Sequence, residues 1–264
     1  MKNILSQCHE FKLSETYAYA DLVRKEIFSE HPLVEAIEVA SDVEKQISKP
    51  CRRTLLHDYI EAIVEKDIYQ CFCGPAWDYD CVDPVLELLE SHDIVFLTLE
   101  HYVAHLYKDD DSEILPQVTE EMCEKYRYEY LSEYVHDLAC EKVVPLIVTE
   151  VFNLLFSDRE AMMQFNVGIA EYLAERTKRS TYWPKWLERA LLHREKGVCV
   201  LCKTDLTALY NTQGKLAVDH IVPIAMGGVN DPTNLQLLCS TCNNEKSGDK
   251  IITSTKMPLY WEEI

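Results

Sequence analysis

Two cysteine pairs, Cys199/Cys202 and Cys239/Cys242, constrain this chain more than any other feature of it. Each pair is a C-x-x-C, and 36 residues separate Cys202 from Cys239. A C-x-x-C turn presents two sulfurs to one side, so two such turns supply the four thiolates of a closed tetrahedral zinc site. The competing reading is a pair of disulfides, which belongs to exported proteins. The N-terminus, MKNILSQCHEFK, has no apolar run of signal-peptide length, and no stretch approaches a membrane span. Reduced thiols, a structural Zn²⁺ on the four cysteines, a cytoplasmic location and no membrane partner are therefore expected.

The residues between the pairs have the chemistry of a hydrolytic centre. Asp219 and His220 are adjacent, and carboxamides follow at Asn234 and Asn243. Together they offer hard oxygen ligands and one base that titrates near neutrality. Metal-assisted phosphodiester hydrolysis needs that combination: a divalent cation on the phosphate oxygens and a group that deprotonates water. His220 is the natural general base, because an ordinary imidazole accepts a proton at working pH. The order of elements also suits a small ββα unit. Lys215 to Val222 is apolar and β-branched and is ended by Pro223; Gly227-Gly228 and Asp231-Pro232 mark turns; Asn234 to Leu238 forms a second strand; Ser240 or Thr241 caps a helix carrying Cys242, Asn243 and Lys246.

The stretches WLERALLHREKGVCVLC, VDHIVPIAMGG, NLQLLC and TCNNEK, within Tyr182 to Gly248, resemble the HNH endonucleases in their four-cysteine, zinc-stabilised ββα-metal form. The resemblance implies that Asp219 and Asn243 ligate a catalytic Mg²⁺ or Mn²⁺, with Asn244 as the alternative if the register shifts by one. It implies that His220 is the base and that Asn234 braces the loop and orients that base. Lys246, one helical turn beyond Asn243, is expected to meet a phosphate or the charge that develops on it. One conflict is visible at once: neighbours on a regular strand face opposite ways, so the strand must twist or stop if Asp219 and His220 are to share a site.

Charge divides the chain. Residues 1–178 carry 36 Asp and Glu against 16 Lys and Arg, whereas residues 179–264 carry 9 against 10. The shift places a boundary near Thr177 to Thr181, between an acidic all-α domain at 1–178 and the HNH domain at 179–264, an α+β protein overall. Helices are expected from Ser14 through Ile27, from His31-Pro32 through Val43, from about Arg53 through Ile68, from Asp83-Pro84 to Tyr107, from about Pro116 to Lys142, from Pro145 towards Phe156, and from about Asp158 to Lys178. A short helix over Trp186–Arg194 precedes the first cysteine pair.

Other features have plain readings beside functional ones. Cys71, Cys73 and Cys81 match no common zinc spacing and read as free cysteines. His101 and His105, four apart, read as a helix-surface pair, and Asp109 to Asp111 as a solvated turn. No Gly-rich nucleotide loop is present. The segment ERTKRSTYWPKW interleaves Arg176, Lys178, Arg179 and Lys185 with aromatic residues, so it tracks a nucleic-acid backbone or simply anchors a basic linker. Lys178, Arg179, Lys185 and Arg194 are the candidate nucleic-acid contacts.

The expected function is metal-dependent endonuclease action on nucleic acid, with DNA the leading substrate. A near-neutral nuclease domain tethered to a strongly acidic one should bind DNA poorly alone. A protein partner is therefore expected through the acidic domain, such as the ATPase or sensor of a bacterial anti-phage defence system. The alternatives are a non-catalytic four-cysteine zinc docking module and an RNA-cleaving toxin.

Overall fold

The computed structural model describes residues 10–29, 42–73, 83–108, 115–173, 177–212 and 216–257. Helices α1 (Thr16–Ile27), α2 (Val43–Ser48), α3 (Leu55–Cys73), α4 (Asp83–Ser91) and α5 (Leu99–Leu106) come first. Next is α6 (Glu120–Glu129), which runs on through π-helical turns at Tyr130–Val135 and Ala139–Val143 into α7 (Val144–Phe156). Then follow α8 (Arg159–Tyr172), α9 (Lys185–Arg194), α10 (Thr207–Asn211), β1 (Ala217–His220), β2 (Leu235–Leu238) and α11 (Ser240–Lys246). The chain is α+β, helical first and ending in a two-stranded antiparallel sheet plus a helix. Among the described residues, no helix is long and apolar enough to cross a membrane.

Two helix expectations change. The helix expected over 84–107 is two helices, because Asp93 takes a left-handed φ of 57° and Thr98 caps α5 by accepting the His101 amide. The backbone between them is held by hydroxyls: Tyr130 donates to the Leu97 carbonyl, and the Leu97 N–H donates to Tyr134. Pro145 stands in the first turn of α7 (Val144–Phe156), as expected, and the π-helical turn before it joins α7 to the preceding helical path. The helix expected to reach Lys178 stops at Tyr172, although Asp158 caps its start as expected, accepting the Glu160 and Ala161 amides. His101 and His105 are exposed and bonded locally, to Thr98 Oγ1 and to the His101 carbonyl. Val34, Ile37, Cys81, Asp109 to Asp111, Arg176 and Lys215 lie outside the described residues.

The described chain forms two compact units, Met1–Tyr19 with Ile63–Glu150, and Ala20–Ala62 with Val151–Ile264. The edge of a unit therefore does not coincide with residue 178. Acidity reports which side chains meet water, whereas units are set by which apolar faces pack. In the first unit, Glu150 is buried and gathers the N-terminal stretch by accepting from the Lys12 and Leu13 amides and the Thr16 hydroxyl.

In the second unit, earlier helices reach the cysteine-bearing module by particular contacts: the Leu55 amide at the start of α3 donates to Asp231, and Phe156 of α7 packs against the module's core. Tyr59 of α3 packs on Phe165 of α8 with ring centroids 5.6 Å apart. The module's own core is Leu187 and Leu191 from α9, one turn apart on one face, against Val200, Val218, Leu235 and Leu237. A buried ion cluster joins α8 to the end of α9. The Glu195 carboxylate accepts from Arg159 Nε at 2.6 Å and from Arg194 Nη2 at 2.7 Å, and all three side chains are almost wholly buried. Arg194 also donates to the Leu235 carbonyl and lies over the Phe156 ring. Burial lowers its pKa despite Glu195, so this guanidinium is held by its partners rather than by water. Arg194 is thus a corrected expectation: it braces β2 from inside and is not presented to nucleic acid. Removing one partner leaves buried charge uncompensated, so Glu195→Gln should lower unfolding stability by about 3–5 kcal/mol, read from urea denaturation midpoints.

Candidate active site and zinc centre

Local chain geometry brings the four cysteines together. After α9, Lys196 and Gly197 both adopt left-handed φ angles, 52° and 76°, and turn the chain into the first C-x-x-C. That turn is closed by Cys199 N–H donating to Thr204 O and Lys203 N–H donating to Cys199 O. It is pinned to the sheet by Val200 N–H donating to Leu237 O. The second pair starts α11, where Cys239 is the N-cap and its sulfur accepts the Cys242 amide at 3.4 Å. All four sulfurs lie within 4.8 Å of one another. Thiolates around one zinc stand about 3.8 Å apart, and Cys202 and Cys239 sulfurs are 3.6 Å apart, far beyond disulfide length. The donor set fits Zn²⁺. Among the described residues it is the one cluster of three or more possible Cys, His, Asp or Glu metal ligands.

The cap that holds Cys239 also places Asn243 in the first turn of α11. Opposite it, β1 pairs with β2 in a register that sets Asp219 across from Gln236 and His220 across from Leu235. β1 stops at His220, and the chain bends over Ile221 and Val222, so Asp219 and His220 open onto one cavity of about 660 Å³. Asn243, Asn244, Lys246 and Arg179 line it too. The strand end therefore removes the alternation conflict that the sequence posed.

The loop from Ile221 to Asn234 is held by its own side chains. Asn234 is fully buried; its carboxamide accepts the Val222 amide at 2.8 Å and donates to the carbonyls of Val222 and Val229, both at 2.9 Å. These contacts are all with loop backbone, so Asn234 shapes the loop and His220 gains its partner elsewhere. Gly228 fits because its Cα approaches the strand end; a Cβ there would stand 1.9 Å from the Val222 oxygen. Asp231 accepts from Thr233 N–H at 2.8 Å and Thr233 Oγ at 2.6 Å, and its other oxygen accepts the Leu55 amide at the start of α3. Burial pushes the Asp231 carboxyl up to about 6, and these donors work against that rise.

The reactive groups have distinct environments. His220 is buried, and desolvation lowers its pKa to about 4 even though Asn230 favours the charged ring. The imidazole is therefore neutral, the form a base requires. Its Nε2 contacts Asn230 Oδ1 at 3.1 Å, and Trp183 stands edge-on with ring centroids 5.7 Å apart. Asp219 accepts from Gln236 Nε2 at 3.0 Å and pairs with Lys246 at 3.1 Å. Lys246 also donates to the His220 carbonyl at 2.7 Å. Its side chain is almost wholly buried, and its ammonium ties α11 to the end of β1.

Lys178 and Arg179 are exposed, and only Arg179 reaches the cavity. Lys185 is exposed and paired with Glu188 at 2.7 Å. Asn230, which was not singled out in the sequence, is the residue that hydrogen-bonds the His220 ring. An asparagine two residues after the Gly227-Gly228 turn was its only sequence signal.

A family model described as HNH endonuclease matches residues 199–249. This stretch is an HNH endonuclease domain. It spans both cysteine pairs, both strands and α11, so the match covers the cysteine cluster and most of the cavity wall. No curated protein and no solved structure matches the chain. The HNH domain suggests a nuclease, with nucleic acid as its ligand, and leaves residues 1–198 without a match.

Two outcomes follow for the HNH domain. Gly228→Ala should displace the Val222–Asn234 loop and lower the thermal midpoint by several degrees, because backbone and not a flexible side chain blocks the new methyl. Metal analysis of the purified chain should find one zinc per molecule, and Cys239→Ser should lose it together with cooperative unfolding of this region.

Proposed function

We propose that this protein is a metal-dependent endonuclease that hydrolyses nucleic-acid phosphodiester bonds, with DNA as its substrate. One observation carries the reading: Asp219, His220 and Asn243 open onto a single cavity, with a neutral imidazole beside two oxygen donors. Asp219 and Asn243 would hold a Mg²⁺ or Mn²⁺ ion, a fit favoured by an all-oxygen donor pair. When bound, such an ion polarises the phosphoryl oxygens and stabilises the leaving oxygen.

The chain's own residues do the rest. His220 takes the proton of the attacking water on its unprotonated ring nitrogen. Burial keeps that nitrogen free of a proton at neutral pH. Asn234 and Gly228 hold the loop that positions His220, and Lys246 locks the strand end by its carbonyl. Arg179, exposed at the cavity wall, supplies a guanidinium to a neighbouring phosphate. A second cavity of about 470 Å³ shares Arg179 and Asn243 with the first and has Trp183 in its wall. That continuity gives a path for the flanking nucleotide, with an indole on which a base can stack.

The strong acidity of residues 1–178 supports a partner that docks there and delivers the nuclease, as an ATPase or sensor of an anti-phage system would. Plasmid cleavage in Mg²⁺ or Mn²⁺ tests the activity. Wild type should cut and His220→Ala should lose at least about 100-fold in rate, with zinc content unchanged. Equal cleavage by both proteins would remove His220 from the chemistry. RNA cut in preference to the plasmid would overturn DNA as the substrate.

A further inference from the structure

We infer that Asn230, and not the motif's Asn234, is the positioning residue that holds His220 as the Nε2–H tautomer with Nδ1 as its basic nitrogen. The inference rests on the nuclease reading for its consequence, though not for its geometry.

Asn230 has no exposed surface. Its Nδ2 donates to two backbone carbonyls, Ser48 at 3.0 Å and Lys178 at 2.7 Å. Carbonyls only accept, so the amide nitrogen must face them and both of its hydrogens are spent there. The carboxamide is thereby fixed in orientation by its neighbours. Its oxygen faces the Ser180 N–H, which donates to it at 3.0 Å, and His220 Nε2 at 3.1 Å. An amide oxygen can only accept. The hydrogen of this contact must therefore sit on Nε2, so the form of the ring that can act as a base has its lone pair on Nδ1. With Nε2 buried against Asn230 and Trp183 edge-on to the ring, Nδ1 is the nitrogen left for the cavity that His220 lines. The other tautomer would set two lone pairs against each other at Asn230 and offer an N–H where a base is needed.

The clamp is assembled from distant parts of the chain. Besides its side-chain bonds, the Asn230 amide donates to Ile47 O at 2.9 Å. Thus the last carbonyls of α2 and the 178–180 backbone hold Asn230 from two sides. Nearby, Leu55 N–H bonds Asp231 and Arg52 lies over the Trp186 ring, so the segment after α2 is fastened to the same loop region. Asn230, which sets the tautomer, is therefore itself held by the backbone of Ile47, Ser48, Lys178 and Ser180, all outside the 199–249 match.

The test is histidine-side-chain ¹⁵N NMR on the full-length zinc-loaded protein at mildly alkaline pH, with the His220 signals assigned by their loss in His220→Ala. The wild type should show a protonated Nε2 and a pyridine-like Nδ1. Asn230→Ala should shift His220 to the other tautomer or to a mixture, and cleavage by that variant should lose about 10–100-fold in kcat with KM changed far less. A wild-type His220 protonated on Nδ1, or mixed, overturns the inference without any variant having to fold, and leaves the nuclease reading standing. An unchanged tautomer in a folded, zinc-loaded Asn230→Ala protein also overturns it. The expected spectra from a protein that cuts no nucleic acid would uphold the tautomer assignment and sink the nuclease reading instead.

Discussion

Everything in the candidate site depends on the convergence of four thiolates. A two-stranded sheet of four-residue strands and a seven-residue helix bury too little apolar surface to stand alone. A metal ion on the four cysteines would tie the 199–202 turn to the start of α11 and so hold both ends of that unit together. The same cap that aims Cys239 at the cluster starts the helix that carries Asn243. The turn that brings Cys239 to the cluster thus also sets Asn243, and metal binding on the four cysteines would be coupled to folding of this unit.

Around that clamp, the fold uses buried polar groups as positioning devices. Glu195 between Arg159 and Arg194 fixes α9 against α8 and against the backbone of β2. Asp231 caps a turn on one side and receives the first amide of α3 on the other. Lys246 closes the end of β1 onto α11. Each is expensive to bury and each is satisfied by partners from distant parts of the chain. Such groups specify one arrangement more sharply than apolar contacts do, because a misplaced partner leaves a bare charge or lone pair. The HNH domain accordingly sits within a larger compact unit instead of closing on itself at residue 178.

Two residues show how position and neighbours divide the roles of like side chains. Asn234 and Asn230 are both buried asparagines in one loop. Asn234 meets only loop backbone and shapes the turn, whereas Asn230 meets an imidazole on one side and two carbonyls on the other. Arg194 looks like a phosphate contact in a nuclease sequence, yet it is spent inside the protein, whereas Lys246, paired with Asp219, lines the cavity. Arg179, with the same formal charge, stands at the cavity wall.

The cysteine spacing, the Asp-His pair, the two asparagines and the strand and helix around them are local signals, legible because short-range geometry dictates them. Spacing decides which sulfurs can share an ion, and turn residues decide where strands end. The charge step near 178 is equally real, but it measures contact with water and carries no information on packing. Only the tertiary structure decides that α2 and α3 fasten to the 221–234 loop, that the guanidinium of Arg194 faces inward, and that the partner of His220 is Asn230. Those outcomes depend on contacts between residues more than 30 positions apart in most cases, where no periodicity or spacing rule reaches.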